Sequence, residues 1–364
     1  MNRNPFAINF GKLPSQYISR DLVINEIIEE FISEEPQNQC FMLTGTRGSG
    51  KTVTMTTIEK RISEYEEWII VRLNPTRNML EGLTAKLYDS KEYLKQFIDT
   101  GLNLSKFGIG ISANAKSPVA DIESALEIIL KEIKRRGKRL LVTVDEVSDT
   151  PFMQEFASSF QILIREELPI YLIMAGLFEN IRDLENEKNL TFLYRTPKYE
   201  MEPLNLTLIC ERYRQLLDVS QDEAMEMAIM TKGYPFAYQV LGKYLWEEEE
   251  HKMDTLVLAK VDEALSHYVY DKIWSELSPK DKWFMSFIVQ KETMTTVELL
   301  EITKQKKNEF SQYRARLRDK GLINVSTRGM ISYRLPRFDV FVRNAQLLGD
   351  GVTGSFFEKK ERND

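Results

Sequence analysis

The octapeptide Gly45-Thr46-Arg47-Gly48-Ser49-Gly50-Lys51-Thr52 constrains this chain more than any other stretch, because it fits the pattern GxxxxGKT and carries both flanks that the pattern needs. Cys40 to Thr44 before it is a short apolar, β-rich run, and Val53 to Ser63 after it has helical character. Glycines at 45, 48 and 50 let the backbone curl so that its N–H groups converge, and the helix N-terminus adds partial positive charge. A loop of this kind cradles phosphate oxygens. The spacing assigns Lys51 to the β- and γ-phosphates of ATP and Thr52 to a Mg²⁺ ion, with Thr46, Arg47, Ser49 and Val53 completing the nucleotide-binding stretch.

Three further runs, Trp68 to Leu73, Arg139 to Val144 and Pro169 to Ala175, read as fully buried strands, and Tyr199 to Met201 as a fifth. Helical patterns lie between them, such as Leu22 to Ile32 and Ile122 to Ile133. Alternation of this kind predicts an α/β fold with a mostly parallel sheet covered on both faces. Gly101 to Pro118, rich in Gly, Ser and Asn, reads as a small hairpin insertion. After Pro203 the pattern is helical to about Tyr270, with Leu206 to Leu217, Gln221 to Thr231 and Phe236 to Glu249.

The run Leu140-Leu141-Val142-Thr143-Val144 ends in Asp145-Glu146. One carboxylate at a strand end can hold the Mg²⁺ shell while the next orients and activates water for in-line attack, which gives Asp145 the metal role and Glu146 the base role. The second carboxylate favours hydrolysis of ATP over transfer to a metabolite, since a small-molecule kinase needs an acceptor pocket that the sequence does not display.

Composition excludes other classes. The only cysteines, Cys40 and Cys210, cannot form a disulfide framework, and with His251 and His267 they offer no zinc-like spacing. The N-terminus lacks the apolar core of a signal peptide, and no segment approaches about 18 uninterrupted apolar residues. These features predict a reduced, cytoplasmic protein with no membrane partner. The net charge of −6 hides an asymmetry, because Ser275 to Arg343 holds 14 Lys and Arg against 8 Asp and Glu, leaving an acidic remainder.

That basic stretch has the outline of a winged helix: helical patterns at Pro279 to Gln290, Thr296 to Gln305 and Glu309 to Lys320, then two strand-like runs over Leu322 to Leu335. Lys306-Lys307-Asn308 reads as the turn between the last two helices, and Gly321 as a helix stop. The later helix of such a module can enter a DNA major groove. Its candidate contacts are Asn308, Ser311, Gln312, Arg314, Arg318 and either Tyr313 or Arg316 according to helix phase, with Thr327 and Arg328 at the wing.

Together these motifs resemble the AAA+ ATPases, in particular those related to the origin-recognition type and to the signal-transducing STAND ATPases. Asn4-Pro5-Phe6 with Phe10-Gly11 is similar to the segment that lies over the adenine in that family, and Leu335-Pro336-Arg337-Phe338 to its usual ending. The resemblance implies a P-loop core of three αβα layers over 1–204, an all-helical lid over 205–272, a winged-helix domain over 273–345 and a flexible tail over 346–364. It implies that Arg195 is an arginine finger acting across a homo-oligomer, with Arg182 as the weaker choice, and that Pro235 of Gly233-Tyr234-Pro235-Phe236-Ala237 packs on the nucleotide. One departure stands out. Ile173-Met174-Ala175-Gly176-Leu177 carries no polar sensor where many AAA+ proteins have one, so the expectation is slow hydrolysis, or sensing by Glu179, Asn180 or Arg182. The implied function is an ATP-hydrolysing switch whose winged helix binds double-stranded DNA. The alternative is a STAND-like scaffold whose winged helix contacts a protein partner.

Overall fold

The computed structural model describes residues 3–8, 14–89 and 119–349. Phe10 and Gly11, the hairpin expected at Gly101 to Pro118, and the tail beyond residue 349 lie outside the described residues. Two compact units emerge, one from Arg20–Thr44 and Lys51–Glu200, the other from Met1–Ser19, Gly45–Gly50 and Met201–Asp364.

The first unit is built on a parallel sheet of β1 (Cys40–Thr44), β2 (Trp68–Leu73), β3 (Arg139–Val144), β4 (Ile170–Gly176) and β5 (Lys198–Glu200), in the order β2-β3-β4-β1-β5. Every residue of β1 and β4 is buried, as expected of central parallel strands covered on both sides. Cys40 and Met42 of β1 face a core with α3 (Met79–Asp89), α4 (Val119–Arg135) and α5 (Pro151–Arg165). The alternate residue Phe41 points the other way, where Phe31 of α1 (Asp21–Ile32) packs among Phe41, Trp68 and Tyr171 with ring centroids 5.0 to 6.1 Å apart. Arg139 closes that cluster by donating to the carbonyls of Phe31 and Ser33 at 2.6 and 2.8 Å. α2 (Lys51–Ile62) lies beside α1, with Arg61 donating to Asn25 at 2.7 Å. The strand expected from Pro169 starts one residue later, since proline has no N–H for the ladder; its carbonyl still accepts the Leu140 N–H at 2.8 Å.

The second unit opens with α7 (Leu206–Leu217), α8 (Gln221–Met230), α9 (Pro235–Glu247) and α10 (Thr255–Leu265); α6 (Phe178–Glu185) belongs to the first unit. Side-chain caps start three of these: Asn205 for α7, Ser220 in a capping box with Glu223 for α8, and Asp254 for α10. The N-terminal segment is fastened to α9. Asn4 donates to the Lys243 carbonyl at 3.1 Å, Gln239 accepts the Ala7 N–H at 3.0 Å, and Phe6 covers Gly242 so closely that a Cβ there would lie 2.4 Å from its ring.

A π-helical turn, Ser266–Tyr270, leads into α11 (Asp271–Ser275), then α12 (Pro279–Ile288), α13 (Thr296–Thr303), α14 (Lys307–Asp319) and α15 (Phe338–Leu347). With them go β6 (Thr293–Thr295), β7 (Ile323–Asn324) and β8 (Met330–Tyr333), an antiparallel sheet ordered β6-β8-β7. Two elements here go beyond the sequence reading. β6 is three residues long, too short to show alternation, and α15 starts at Arg337 in a left-handed conformation with no side-chain cap to announce it. The expected turn also moves: Lys304 takes the left-handed cap of α13, and α14 begins at Lys307, so Lys307 and Asn308 stand in its first turn.

Candidate functional site

The C-terminal ends of parallel strands are where open α/β sheets bind ligands, and both motifs lie there. The phosphate loop continues from β1, and Asp145 and Glu146 follow β3. At the start of α2 the Thr52 hydroxyl donates to Asp145 Oδ2 at 2.6 Å, while Asp145 Oδ1 accepts the Glu146 N–H at 2.8 Å. Hydroxyl and carboxylate oxygens thus meet at one point. That donor set suits a hard divalent cation, which prefers oxygen ligands and shares them with phosphates.

Glu146 has φ 55, a conformation that costs a side chain with a Cβ about 1–2 kcal/mol. Its surroundings enforce it. The Val147 N–H donates to the Ala175 carbonyl at 2.9 Å, and Asn180 donates to the Val147 carbonyl at 3.1 Å. Asn180, one of the alternative sensors, therefore has its amide tied to this turn. Arg182 is exposed, 3.6 Å from Asp183, and Arg195 is exposed at the end of the turn Thr191–Arg195, next to Tyr194.

One buried group escaped sequence reasoning. Glu59, on α2, accepts from Thr143 of β3 at 2.5 Å and from Arg72 Nε of β2 at 2.8 Å. Its hydrogen bond and charge hold the Arg72 guanidinium above its ordinary pKa. This tie fixes α2, which starts with Lys51 and Thr52, to the strand that delivers Asp145. Its only sequence signal is an acidic residue within an otherwise buried helix face.

The loop Gly45–Gly50 groups with the second unit, and there the Tyr234-Pro235-Phe236 motif covers it. The Tyr234 hydroxyl donates to the Arg47 carbonyl, and burial pushes its phenol pKa well above normal. Gly48 has φ 71, and a Cβ on it would lie 2.3 Å from the Tyr234 oxygen and 3.0 Å from Phe236 Cβ. Only glycine satisfies both demands. Tyr234 and Phe236, rather than Pro235 alone, are thus the motif's direct contacts with the loop. Pro235 occupies the first position of α9 with its side chain half-buried. The Arg47 side chain meets Glu276 Oε1 at 3.0 Å, and Lys272 reaches the same oxygen at 3.2 Å. Burial opposes a charge on Glu276, but Arg47 and Lys272 outweigh it and hold the carboxyl below its ordinary pKa.

In the basic module the phase of α14 is now fixed. Phe310, Tyr313 and Leu317 face the core, which removes Tyr313 from the candidate contacts. Arg316 grips Asp281, itself 2% exposed, through Nε at 2.9 Å and Nη2 at 2.7 Å. Arg316 thus neutralises a carboxylate inside the module while its own side chain stays 42% exposed. Arg318 pairs with Asp319 at the surface, and Ser311 donates to the Lys307 carbonyl at 2.9 Å. Asn308, Gln312 and Arg328 are exposed, while Arg314 is half-buried.

Residues 17–168 match a family model described as an ATPase domain predominantly from Archaea, and residues 267–342 match one described only as a domain of unknown function. No curated protein matches by sequence. Among solved structures, the ORC2 protein of Aeropyrum pernix in its ADPNP–ADP complexes is 15% identical with a TM-score of 0.56, over 93% of this chain and 96% of that one. The ADP form of the same protein is 15% identical with a TM-score of 0.50 over the same shares. At such identity the likeness is one of fold. Among the described residues no helix is long and apolar enough to cross a membrane.

Proposed function

We propose that this chain, which matches an ATPase family model over residues 17–168 and has the fold of Aeropyrum pernix ORC2, is a slow, ATP-driven switch of the AAA+ type whose C-terminal winged helix engages duplex DNA. The observation that carries the nucleotide part is the 2.6 Å contact between Thr52 and Asp145. In this reading Gly45 to Val53 wrap the phosphates, Lys51 neutralises the β- and γ-phosphates, and Thr52 and Asp145 hold Mg²⁺. The metal ion, when bound, offsets charge on the phosphate oxygens. Glu146 takes a proton from the attacking water, and Arg195 of a neighbouring copy steadies the leaving charge. Pro235 lines the nucleotide from the lid.

Slow turnover fits the end of β4, where Ala175 and Gly176 offer no polar side chain and Asn180 is spent on Val147. The proposed boundaries are a core over 1–204, a lid over 205–272, a winged helix over 273–345 and a tail from 346. Free, buried thiols at Cys40 and Cys210 suit the reduced cytoplasm.

DNA contact is supported by the basic excess and by the exposed row Lys304, Lys306, Lys307, Asn308 and Gln312, with Arg314, Arg318 and Arg328 beside it. The rival reading, a STAND-like scaffold, has its own support: α13 exposes Val297 (63%) and Ile302 (44%) among Glu298 and Glu301, a poor surface for phosphates. Titrating a fluorescent duplex at two salt concentrations separates them. DNA binding through several phosphates weakens steeply with salt and falls again on replacing Arg314, Arg318 and Arg328. Salt-insensitive binding, or none, sinks the DNA reading. Likewise, a Lys51→Ala protein that binds ATP as well as the wild type sinks the nucleotide site.

A further inference from the structure

We infer that Arg47 is a phosphate-responsive latch: a triphosphate at the loop and Glu276 compete for its guanidinium, and the outcome sets the freedom of the segment that leads into the basic module. The inference rests on the phosphate-loop reading above. Its starting point is a division of labour within one residue. The Arg47 backbone is fixed by the Tyr234 hydroxyl, while its side chain extends to Glu276 at 3.0 Å, with the two side chains 32% and 31% exposed. A pair so open to solvent biases an equilibrium by only about two- to fivefold. Arginine binds phosphate oxygens through a planar fork that is charged at every accessible pH, so a polyanion arriving at this loop is the stronger partner.

Release costs Glu276 little, because Lys272 already reaches the same carboxylate oxygen at 3.2 Å and keeps it paired. The triad is therefore arranged for exchange. A carboxylate with Arg47 as its sole cation would oppose release.

Position gives the exchange a consequence. Glu276 directly follows α11 and stands two residues before Ser278, the N-cap of α12. The Ser278 hydroxyl donates to Asp281 Oδ2 at 2.7 Å, and Asp281 holds Arg316 of α14. Arg314 and Arg318, proposed DNA contacts, ride on that helix. Motion at Glu276 thus passes through the backbone to Ser278, and from there along the Ser278–Asp281 and Asp281–Arg316 contacts to the helix that carries the proposed DNA contacts.

Linkage makes this testable, since a triphosphate that weakens the Arg47–Glu276 pair is itself bound more weakly by the same factor while the pair persists, and removing Glu276 lifts that penalty. Hydrogen exchange of peptides spanning 271–281 is measured on the full chain, alone, with ADP and with a non-hydrolysable ATP analogue plus Mg²⁺. Affinities come from a fluorescent analogue. In the wild type the triphosphate raises exchange across 271–281 while peptides of α7 to α10 report an unchanged fold. Glu276→Gln shows the raised level without nucleotide, gives no further response and binds triphosphate about two- to fivefold tighter. Glu276→Gln behaving as wild type in both measurements overturns the latch. Lys51→Ala separates the two readings: undiminished triphosphate binding by that variant removes the phosphate-loop premise itself, whereas loss of binding beside a silent Glu276→Gln removes the latch alone.

Discussion

Replacing Arg316 with Ala distinguishes an arginine that holds the module together from one that touches DNA. Asp281 lies at the third position of α12, where its N–H bonds to Ser278 and the helix N-terminus favours negative charge. Its side chain is 3% exposed and accepts from Arg316 and Ser278. Removing one partner of a buried ion pair costs about 3–5 kcal/mol. Two features reduce that here. The Arg316 side chain is 42% exposed, so solvent screens part of the pair, and the Ser278 hydroxyl remains to serve the carboxylate. The expected loss is about 2–3 kcal/mol, against less than about 0.5 kcal/mol for Arg318→Ala, whose partner Asp319 is its surface neighbour. Because the chain has two units, a single unfolding midpoint is a poor readout. Native-state hydrogen exchange of peptides within 279–319 reports the module directly. A double-mutant cycle with Asp281→Asn then yields a coupling above about 1.5 kcal/mol. Unchanged exchange in Arg316→Ala, or coupling near zero, would refute the interior role and return Arg316 to the DNA surface.

Three further outcomes follow from the nucleotide half. Glu146→Gln keeps the residue's shape and left-handed backbone but removes the base, so ATP turnover falls by about 10²–10⁴ while nucleotide affinity stays within about threefold; equal turnover in a phosphate-release assay contradicts the assignment. Tyr234→Phe deletes the bond to the Arg47 carbonyl, which lowers thermal stability by about 1–2 kcal/mol and weakens nucleotide binding, and a binding isotherm identical to wild type argues against a role for the motif in shaping the loop. Burial pushes the Cys40 thiol up to about 12, although a hydrogen bond with Thr196 works the other way. Thiol reagents at pH 8 should therefore leave Cys40 intact until urea unfolds the chain, and its modification in the native protein contradicts the packing against β4 and β5.

The parallel core and its two motifs were legible because their signals are local. Strands buried on both faces read as apolar runs, and GTRGSGKT and the terminal Asp145-Glu146 each sit within one element junction. The phase of α14 was also in the sequence, since Phe310, Tyr313 and Leu317 recur at helical spacing, yet Tyr313 can pass for either a core or a stacking residue until its neighbours are known. What remained hidden are pairings between residues far apart in the chain. Tyr234 reaches Arg47 across 187 positions, Arg47 reaches Glu276 across 229, and Arg316 reaches Asp281 across 35. No periodicity encodes such contacts, because an arginine facing only solvent and one tied to a buried carboxylate are the same letter with the same spacing. Charge counts suffer from this most. The basic excess of the C-terminal module suggested a row of equivalent arginines on α14, but one of them neutralises a buried carboxylate, so the charge available to a polyanion is smaller than the count implies. The salt dependence of DNA binding should accordingly reflect Arg314, Arg318, Arg328 and the lysines before α14, and a slope that drops by a full charge on neutralising Arg316, with the fold intact, would show that reasoning to be wrong.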